Sequence, residues 1–357
     1  MSLRLQTGIT AITWTFFTVA LHHGCSMVSR ACWWCYSKIF SAKMPNNFHN
    51  TARNNPKTGT AEWVRVEVDG IRNGKPKLVA LPGNLRHLVN KSPESILKDL
   101  RTIYSDQKER DRFPNGPVLP VPVFVDSMSD FFHQQNDEGF LIDAVETMGQ
   151  LSDKFHFQIL TKRTQRMLEF SQRHPFPDGI WAGTTCETTD RNCVGQNYLW
   201  QWDDSKKKSG HAVPVKGCPA NWYNHNEDGV APWERPYLLA EVDAKVRFLS
   251  IEPMTGPIEL PDHIWKRIDW VIIGGESDGG NQAQSLIRLC DLRKELNDLL
   301  RQCELNKVPV WFKQWGSYDE QGNYLGGHGA AGHKVDGLNI YNWPKYYLDA
   351  QTKGKVK

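Results

Sequence analysis

Six short apolar runs recur along the second two-thirds of this chain, separated by amphipathic or polar stretches, and this alternation constrains the fold most. The runs are VPVFVDSM (121–128), HFQILTK (156–162), IWAGTTCE (180–187), KVRFLSIEP (245–253), DWVIIGGES (269–277) and VPVWFKQWG (308–316). They are short, and β-branched and aromatic types dominate them. That is the pattern of strands covered on both faces. Between them, helices are predicted around 137–150, 164–173, 188–199, 234–242 and 286–306. The last of these has an apolar stripe of Leu286, Leu289, Leu292, Leu296, Leu299 and Leu300. Strand–helix alternation implies parallel strands joined by crossovers. The run ITAITWTFFTVAL (9–21) adds one more strand; it has no small-residue cleavage site of the kind that ends a secretory leader. About seven strands predict an α/β fold, a partial or complete parallel (β/α) TIM-like barrel.

Residues 1–316 are expected to form this single barrel domain, and 317–357 a C-terminal extension. Two polar, turn-rich segments, 40–118 and 203–233, read as insertions, the first with a hairpin over VRVEVDGIRNGKPKLVAL (64–81). With 39% hydrophobic residues and 14 tryptophans, the chain can fill a large core, which excludes general disorder. A formal net charge of +3 over 357 residues demands no broad attraction to nucleic acid, although a local basic groove remains open. Eight scattered cysteines without a compact secreted framework favour reduced thiols and a cytoplasmic setting. No stretch reaches the ~20 apolar residues of a membrane span, so no membrane partner is expected.

In a parallel barrel, polar residues at the strand ends gather on one active rim. Here they are Ser127, Asp130, Lys162, Arg163, Glu187, Glu252, Glu276, Lys313 and Gln314. Just after the first strand stands GCSMVSRACWWCY, which spaces Cys25, Cys32 and Cys35 as C-x6-C-x2-C. Three thiolates are one short of a closed zinc site or a fully ligated cluster. A [4Fe–4S] cluster so held keeps one iron open, and S-adenosylmethionine can chelate it through its amine and carboxylate. Trp34 and Tyr36 place aromatics beside the third thiolate, suited to packing near the cluster and the nucleoside. Two other readings stay open: a zinc knot that adds Cys186, His22 or His23, and buried inert thiols. A second metal site from Cys193, His211, Cys218 and His225 fits no recognised spacing.

For the rim, each chemical role has a plainer counterpart. Glu276 follows Gly274 and Gly275, which allow close backbone approach; it, Glu187 and Glu252 suit hydrogen bonds to the ribose or methionyl amine, or simply cap helices. Lys162 and Arg163 suit a substrate carboxylate or phosphate, or pair with the helix starting near Thr164. Ser127, Asp130 and His133 suit hydrogen bonding or proton transfer, or a helix N-cap before 137–150. Lys313 and Gln314, between Trp311 and Trp315, suit a substrate's polar edge, or belong to an aromatic core. Phosphate-loop, nucleophile-elbow and zinc-protease motifs do not occur.

Taken in order, Trp14-Thr15, Gly24-Cys25, Cys32/Cys35/Tyr36, SMSDFFH (127–133), QILTKR (158–163), IWAGTTCE, RFLSIEPMTGPI (247–258), WVIIGGES and VPVWFKQWG resemble a phage-associated radical-SAM-like family. That family is encoded beside "three-Cys-motif partner" proteins. The resemblance runs from about Ile9 to Gly316. It implies a radical-SAM-type barrel with a [4Fe–4S] cluster on the loop after the first strand, held by Cys25, Cys32 and Cys35, and S-adenosylmethionine as co-substrate. From their places at the strand ends, Asp130, His133 and Lys313 are the catalytic candidates, and a reductase or flavodoxin is the expected electron donor. A three-Cys-motif partner protein and, by analogy with spore-photoproduct repair, a nucleic acid or nucleotide substrate follow as expected partners. The family's usual E-W-T-D-x-T-W-N-P before the first cysteine is here TWTFFTVALHHGC, and its Arg-Pro after GGES is here DGGNQAQSLIR. A non-catalytic, metal-stabilised binding protein of phage or mobile-element systems is the alternative.

Overall fold

The computed structural model describes residues 12–26, 28, 32, 41–43, 46, 52–54, 61–63, 79–80, 83–103, 110, 112, 116, 118–190, 198–202, 212–216, 229–276, 291–326 and 330–354. Seven strands form one parallel sheet: β1 (Phe17–Val19), β2 (Val121–Val125), β3 (Phe155–Thr161), β4 (Ile180–Thr185), β5 (Val246–Ile251), β6 (Trp270–Gly274) and β7 (Val310–Gln314). Their spatial order is their chain order, β1 through β7, and every neighbouring pair is parallel. The six apolar runs and the run before Cys25 are thus all strands of one α/β sheet. β2, β4 and β6 are buried along their whole length, as continuous apolar sequence requires.

The sheet curls into a half-barrel. Trp14, just before β1, reaches across to Trp270 of β6 with ring centroids 6.2 Å apart, and to Phe248 of β5 at 6.0 Å. Trp311 of β7 donates its indole N–H to Thr13 Oγ1 at 3.1 Å, joining the two edges of the sheet. Side chains alternate faces along a strand, so these rings define the inner face. Trp14, Phe124, Trp181, Phe248, Trp270 and Trp311 fill its lower layers. Gly183 makes room for Phe248, because a Cβ there would lie 2.2 Å from the phenyl ring. Higher on the same face of each strand stand Lys162, Glu187, Glu252, Glu276 and Lys313. Aromatic packing closes the bottom; charged residues line the mouth.

Crossover helices cover the outside: α1 (Gly83–Val89), α2 (Pro93–Ile103), α3 (Glu138–Gly149), α4 (Thr164–Arg173), α5 (Arg235–Ala240), α6 (Asp262–Trp265) and α7 (Leu292–Leu305); α8 (Lys345–Gly354) follows the last strand and packs Tyr347 against Trp181 at the base. In α7, Leu292, Leu296, Leu299 and Cys303 recur at helical spacing and are buried. Burial is worth about 1.5–3 kcal/mol per leucine. Asp137 caps α3 by accepting from Phe140 N at 2.8 Å, so neither Ser127 nor Asp130 serves as that cap. The end of the segment predicted as helical at 188–199 is instead extended: Tyr198–Trp202 pairs antiparallel with Ala212–Lys216. Within 40–118, α1 and α2 send Leu85, Leu88, Ile96 and Leu100 into the main core. Most of the expected hairpin at 64–81 lies outside the described residues; Val79–Ala80 pairs with His22–His23. Beyond 316, residues 339–343 run antiparallel beside β7: Phe312 N donates to Ile340 O, and Asn342 N to Val310 O. Trp343 stacks on Trp270 at 5.2 Å. The C-terminal extension therefore packs into the base of the half-barrel. Among the described residues, no helix is long and apolar enough to cross a membrane.

Candidate active site at the mouth of the half-barrel

The cysteine loop leaves the sheet through a pinned turn. Asp126, at the end of β2, takes the left-handed conformation (φ 56°), which aspartate tolerates better than most residues. One carboxylate oxygen accepts from Leu21 N at 2.6 Å and His22 N at 3.2 Å, and the other lies 3.1 Å from His22 Nδ1. Gly24 then turns the chain at φ 97°, a conformation that glycine enters without steric cost, and bridges to Ser129. Ser129 Oγ donates to His22 O at 2.9 Å, so the loops after β1 and β2 run side by side. Cys25 and Cys32 are half-buried on the first of them. Cys35, Trp34 and Tyr36 lie outside the described residues, as do Cys193, His211, Cys218 and His225.

Behind the two thiols sits a buried polar cluster. Arg163, at the end of β3 and wholly buried, donates through Nη1 to Asp130 at 2.8 Å and through Nη2 to Ser26 Oγ at 2.7 Å. Asp130 also accepts from Thr161 Oγ1 at 2.7 Å and Phe132 N at 3.1 Å. Burial works against ionisation of Asp130, but the Arg163 charge and the Thr161 hydroxyl outweigh it and hold the carboxyl below its usual range. For Arg163, burial opposes the charge, and Asp130 with the thiols of Cys25 and Cys32 more than restores it. His133 is buried, and desolvation together with the Arg163 charge pushes its pKa down to about 2, leaving a neutral ring. From α4, Arg166 donates to the carbonyls of Phe132, His133 and Asn136 and fixes the loop that carries His133.

Around the rim the predicted charged residues are brought together in pairs. Glu187 lies 3.0 Å from Lys162 Nζ and 2.8 Å from Arg235 Nη1, and Arg235 also donates to Thr185 O at 2.8 Å. Glu252 lies 2.8 Å from Lys313 Nζ and accepts from Ser250 Oγ at 3.1 Å. The side chains of Lys162, Glu252 and Lys313 are 17%, 17% and 16% exposed and face the opening, whereas Arg163 and Arg235 are sealed below it. Gln314 donates to Gly275 O at 3.0 Å, and its own carbonyl oxygen is buried without a partner among the described residues. Ser127 sits half-buried in the turn after β2.

The close approach permitted by the two glycines of GGES is to the protein itself. A Cβ on Gly275 would lie 1.8 Å from Trp315 O, and one on Gly274 would lie 2.7 Å from Glu252 Oε1. These contacts hold Glu276, which is buried, against the turn at Gly316. Ser26, Arg235 and Asp126 were not singled out from sequence, and His22, weighed there as a zinc ligand, faces Asp126 instead. Serines and arginines in loops and helix starts carry no periodicity that would have marked them.

Cys186 does not join the thiol pair. Its sulfur is buried 3.2 Å from Pro232 O, and desolvation, then the charge of Glu187, pushes its pKa up to about 12. Among the described residues, no three His, Cys, Asp or Glu side chains form a metal ligand set. Cys25 and Cys32 are soft sulfur donors near a buried guanidinium whose Nε has no partner among the described residues. That environment fits an anionic metal–sulfur group.

Residues 9–203 and 225–344 match the family described as "Protein of unknown function (DUF5131)", and the chain belongs to that family. No curated protein and no solved structure matches it.

Proposed function

We propose that this family member is a radical S-adenosylmethionine enzyme on a radical-SAM-type half-barrel. In this reading, Cys25, Cys32 and Cys35 hold a [4Fe–4S] cluster at the mouth. The observation that carries it is the siting of Cys25 and Cys32 over the buried Arg163–Asp130 pair, on the loop after the first strand of a parallel half-barrel. When bound, the cluster and S-adenosylmethionine supply reductive carbon–sulfur cleavage and a 5′-deoxyadenosyl radical that takes hydrogen from the substrate.

The chain's own groups supply position and charge. In this reading Trp34 and Tyr36 would flank the cluster and nucleoside, and Glu187, Glu252, Gly274, Gly275 and Glu276 would shape the cofactor's polar surroundings. Glu252 and Lys313 meet at 2.8 Å at the opening, so a ligand amine can compete for Glu252 and a ligand carboxylate for Lys313. Asp130 holds Arg163 ionised behind the thiols, and His133, neutral at physiological pH, acts through its ring N–H. Ser127, Lys162, Arg163 and Gln314 belong to the substrate side; Lys162 and Gln314 lie near the mouth, while Arg163 supports it from beneath. The substrate in this reading is a nucleic acid or nucleotide. The partners are a three-Cys-motif protein and a cytoplasmic reductase or flavodoxin, in a phage or mobile-element setting.

Anaerobic reconstitution with iron and sulfide tests the reading. About four irons and four sulfides per chain, brown absorbance, and 5′-deoxyadenosine release on reduction with S-adenosylmethionine are expected. Loss of the absorbance is expected in Cys25→Ala, Cys32→Ala and Cys35→Ala. One zinc per chain with no cofactor cleavage would overturn the reading in favour of a metal-stabilised binding protein.

A further inference from the structure

Ser26 follows Cys25 directly and is only 3% exposed. Its hydroxyl oxygen lies 2.7 Å from Arg163 Nη2 and 3.0 Å from His133 Nε2. Arginine can only donate. The imidazole's role follows from its other nitrogen: Gln135 N–H donates to His133 Nδ1 at 3.2 Å, so Nδ1 carries the lone pair. In a neutral ring the one proton then sits on Nε2, and Nε2–H donates to Ser26. Both acceptor positions of Ser26 Oγ are therefore taken, and its hydrogen must be donated elsewhere. Among the described residues no side chain or carbonyl receives it.

A second donor is in the same condition. Arg163 Nε is buried and has no acceptor among the described residues, and a buried donor left unsatisfied costs about 1–3 kcal/mol. Two donors without acceptors thus lie in the cluster behind Cys25 and Cys32, whose thiols are close enough to act electrostatically on Arg163. Asp130 is occupied by Arg163 Nη1, Thr161 and Phe132 N; what the Ser26 hydroxyl and Arg163 Nε lack among the described residues is an acceptor of their own, and thiolate or sulfide sulfur is one. Hydrogen bonds to such sulfurs favour the more negative, reduced state of a cluster and so raise its potential.

We propose that the Ser26 hydroxyl, aimed by Arg163 and His133, donates a hydrogen bond to a sulfur of the metal group held by the cysteine loop and sets its reduction potential. This rests on the cluster reading above. Ser26 is a positioning residue: it touches no substrate and fixes how readily the bound group accepts an electron.

The test compares wild type, Ser26→Ala, Ser26→Thr and Ser26→Val after reconstitution, with iron content and an EPR-monitored reductive titration as readouts. Ser26→Ala is expected to keep its iron and to shift to lower potential, so that at the wild-type midpoint the reduced fraction falls several-fold. Ser26→Thr keeps the hydroxyl and is expected to stay near wild type, while Ser26→Val, of equal size, follows alanine. Unchanged potential in Ser26→Ala with full iron overturns the inference and leaves the cluster reading standing. If Ser26→Ala takes up no iron, the Thr and Val pair decides: loading by Thr alone supports the hydroxyl's role, and equal behaviour of the two overturns it. A wild-type protein that binds no iron overturns the cluster reading and the inference with it.

Discussion

Arg163 and Asp130, 33 residues apart in sequence, meet at 2.8 Å inside the half-barrel and tie the end of β3 to the turn after β2. The guanidinium is wholly buried, so its charge depends on that carboxylate and on few other groups. Removing one partner of such a pair strands the other. Asp130→Asn is expected to lower unfolding free energy by about 3–5 kcal/mol, read as a drop in urea midpoint. A double variant, Asp130→Leu with Arg163→Met, is expected to lose less than the sum of the two single changes, because no charge is left stranded.

The aromatic floor makes a second demand. Gly183 lies under the ring of Phe248, and a methyl group there would sit 2.2 Å from it. Gly183→Ala is expected to cost about 1–3 kcal/mol through overpacking, measured by thermal or urea unfolding. Phe248→Leu in the same chain relieves the clash and is expected to recover part of the loss. Gly275→Ala gains no such relief from trimming a side chain, since the obstacle at 1.8 Å is the backbone carbonyl of Trp315.

The strands were legible because they are short runs rich in β-branched and aromatic residues; β2, β4 and β6 are buried along their whole length, and the polar residues within β5 and β7, Arg247 and Lys313, are half-buried. The mouth was legible only as a set of residues. That Lys162 meets Glu187 depends on β3 and β4 being neighbours; Lys313 meets Glu252 across β6, where Gly274 leaves room for the carboxylate, and Arg235 reaches Glu187 across 48 residues of sequence. Helices α1 and α2 were hidden because their few apolar anchors, Leu85, Leu88, Ile96 and Leu100, stand among Asn, Lys and Pro. Ser26 was hidden for a different reason. A serine's role as donor or acceptor is set by its neighbours' protons, and no sequence pattern carries that.

Cys186 separates the sequence's thiols by reactivity. Buried against the Pro232 carbonyl with its pKa pushed up to about 12, it stays protonated and poor as a ligand or nucleophile. Cys186→Ala is expected to take up the same metal per chain as wild type, by elemental analysis. In the folded apoprotein, iodoacetamide is expected to label Cys25 and Cys32 well before Cys186, by peptide mass spectrometry. A metal stoichiometry that falls in Cys186→Ala would return this residue to the ligand set.

Acid sensitivity follows from two buried imidazoles. Burial pushes the pKa of His156 down to about 3, from an ordinary value of 6.5, and its ring stacks on Tyr346 at 5.6 Å. A depressed folded-state pKa means that the unfolded chain takes up the proton first. The associated stability is complete above about pH 6.5 and drains away as pH falls toward 3. His133 shifts in the same direction, to about 2, and adds to the slope over the same upper range. Between pH 6 and 4, each fully titrating histidine contributes about 1.4 kcal/mol per pH unit. Urea unfolding of wild type across that range is therefore expected to show a steep loss, and His156→Phe, which keeps a stacking ring without a proton site, a loss shallower by about one proton. Equal slopes would mean that His156 accepts its proton inside the folded protein, at odds with its burial.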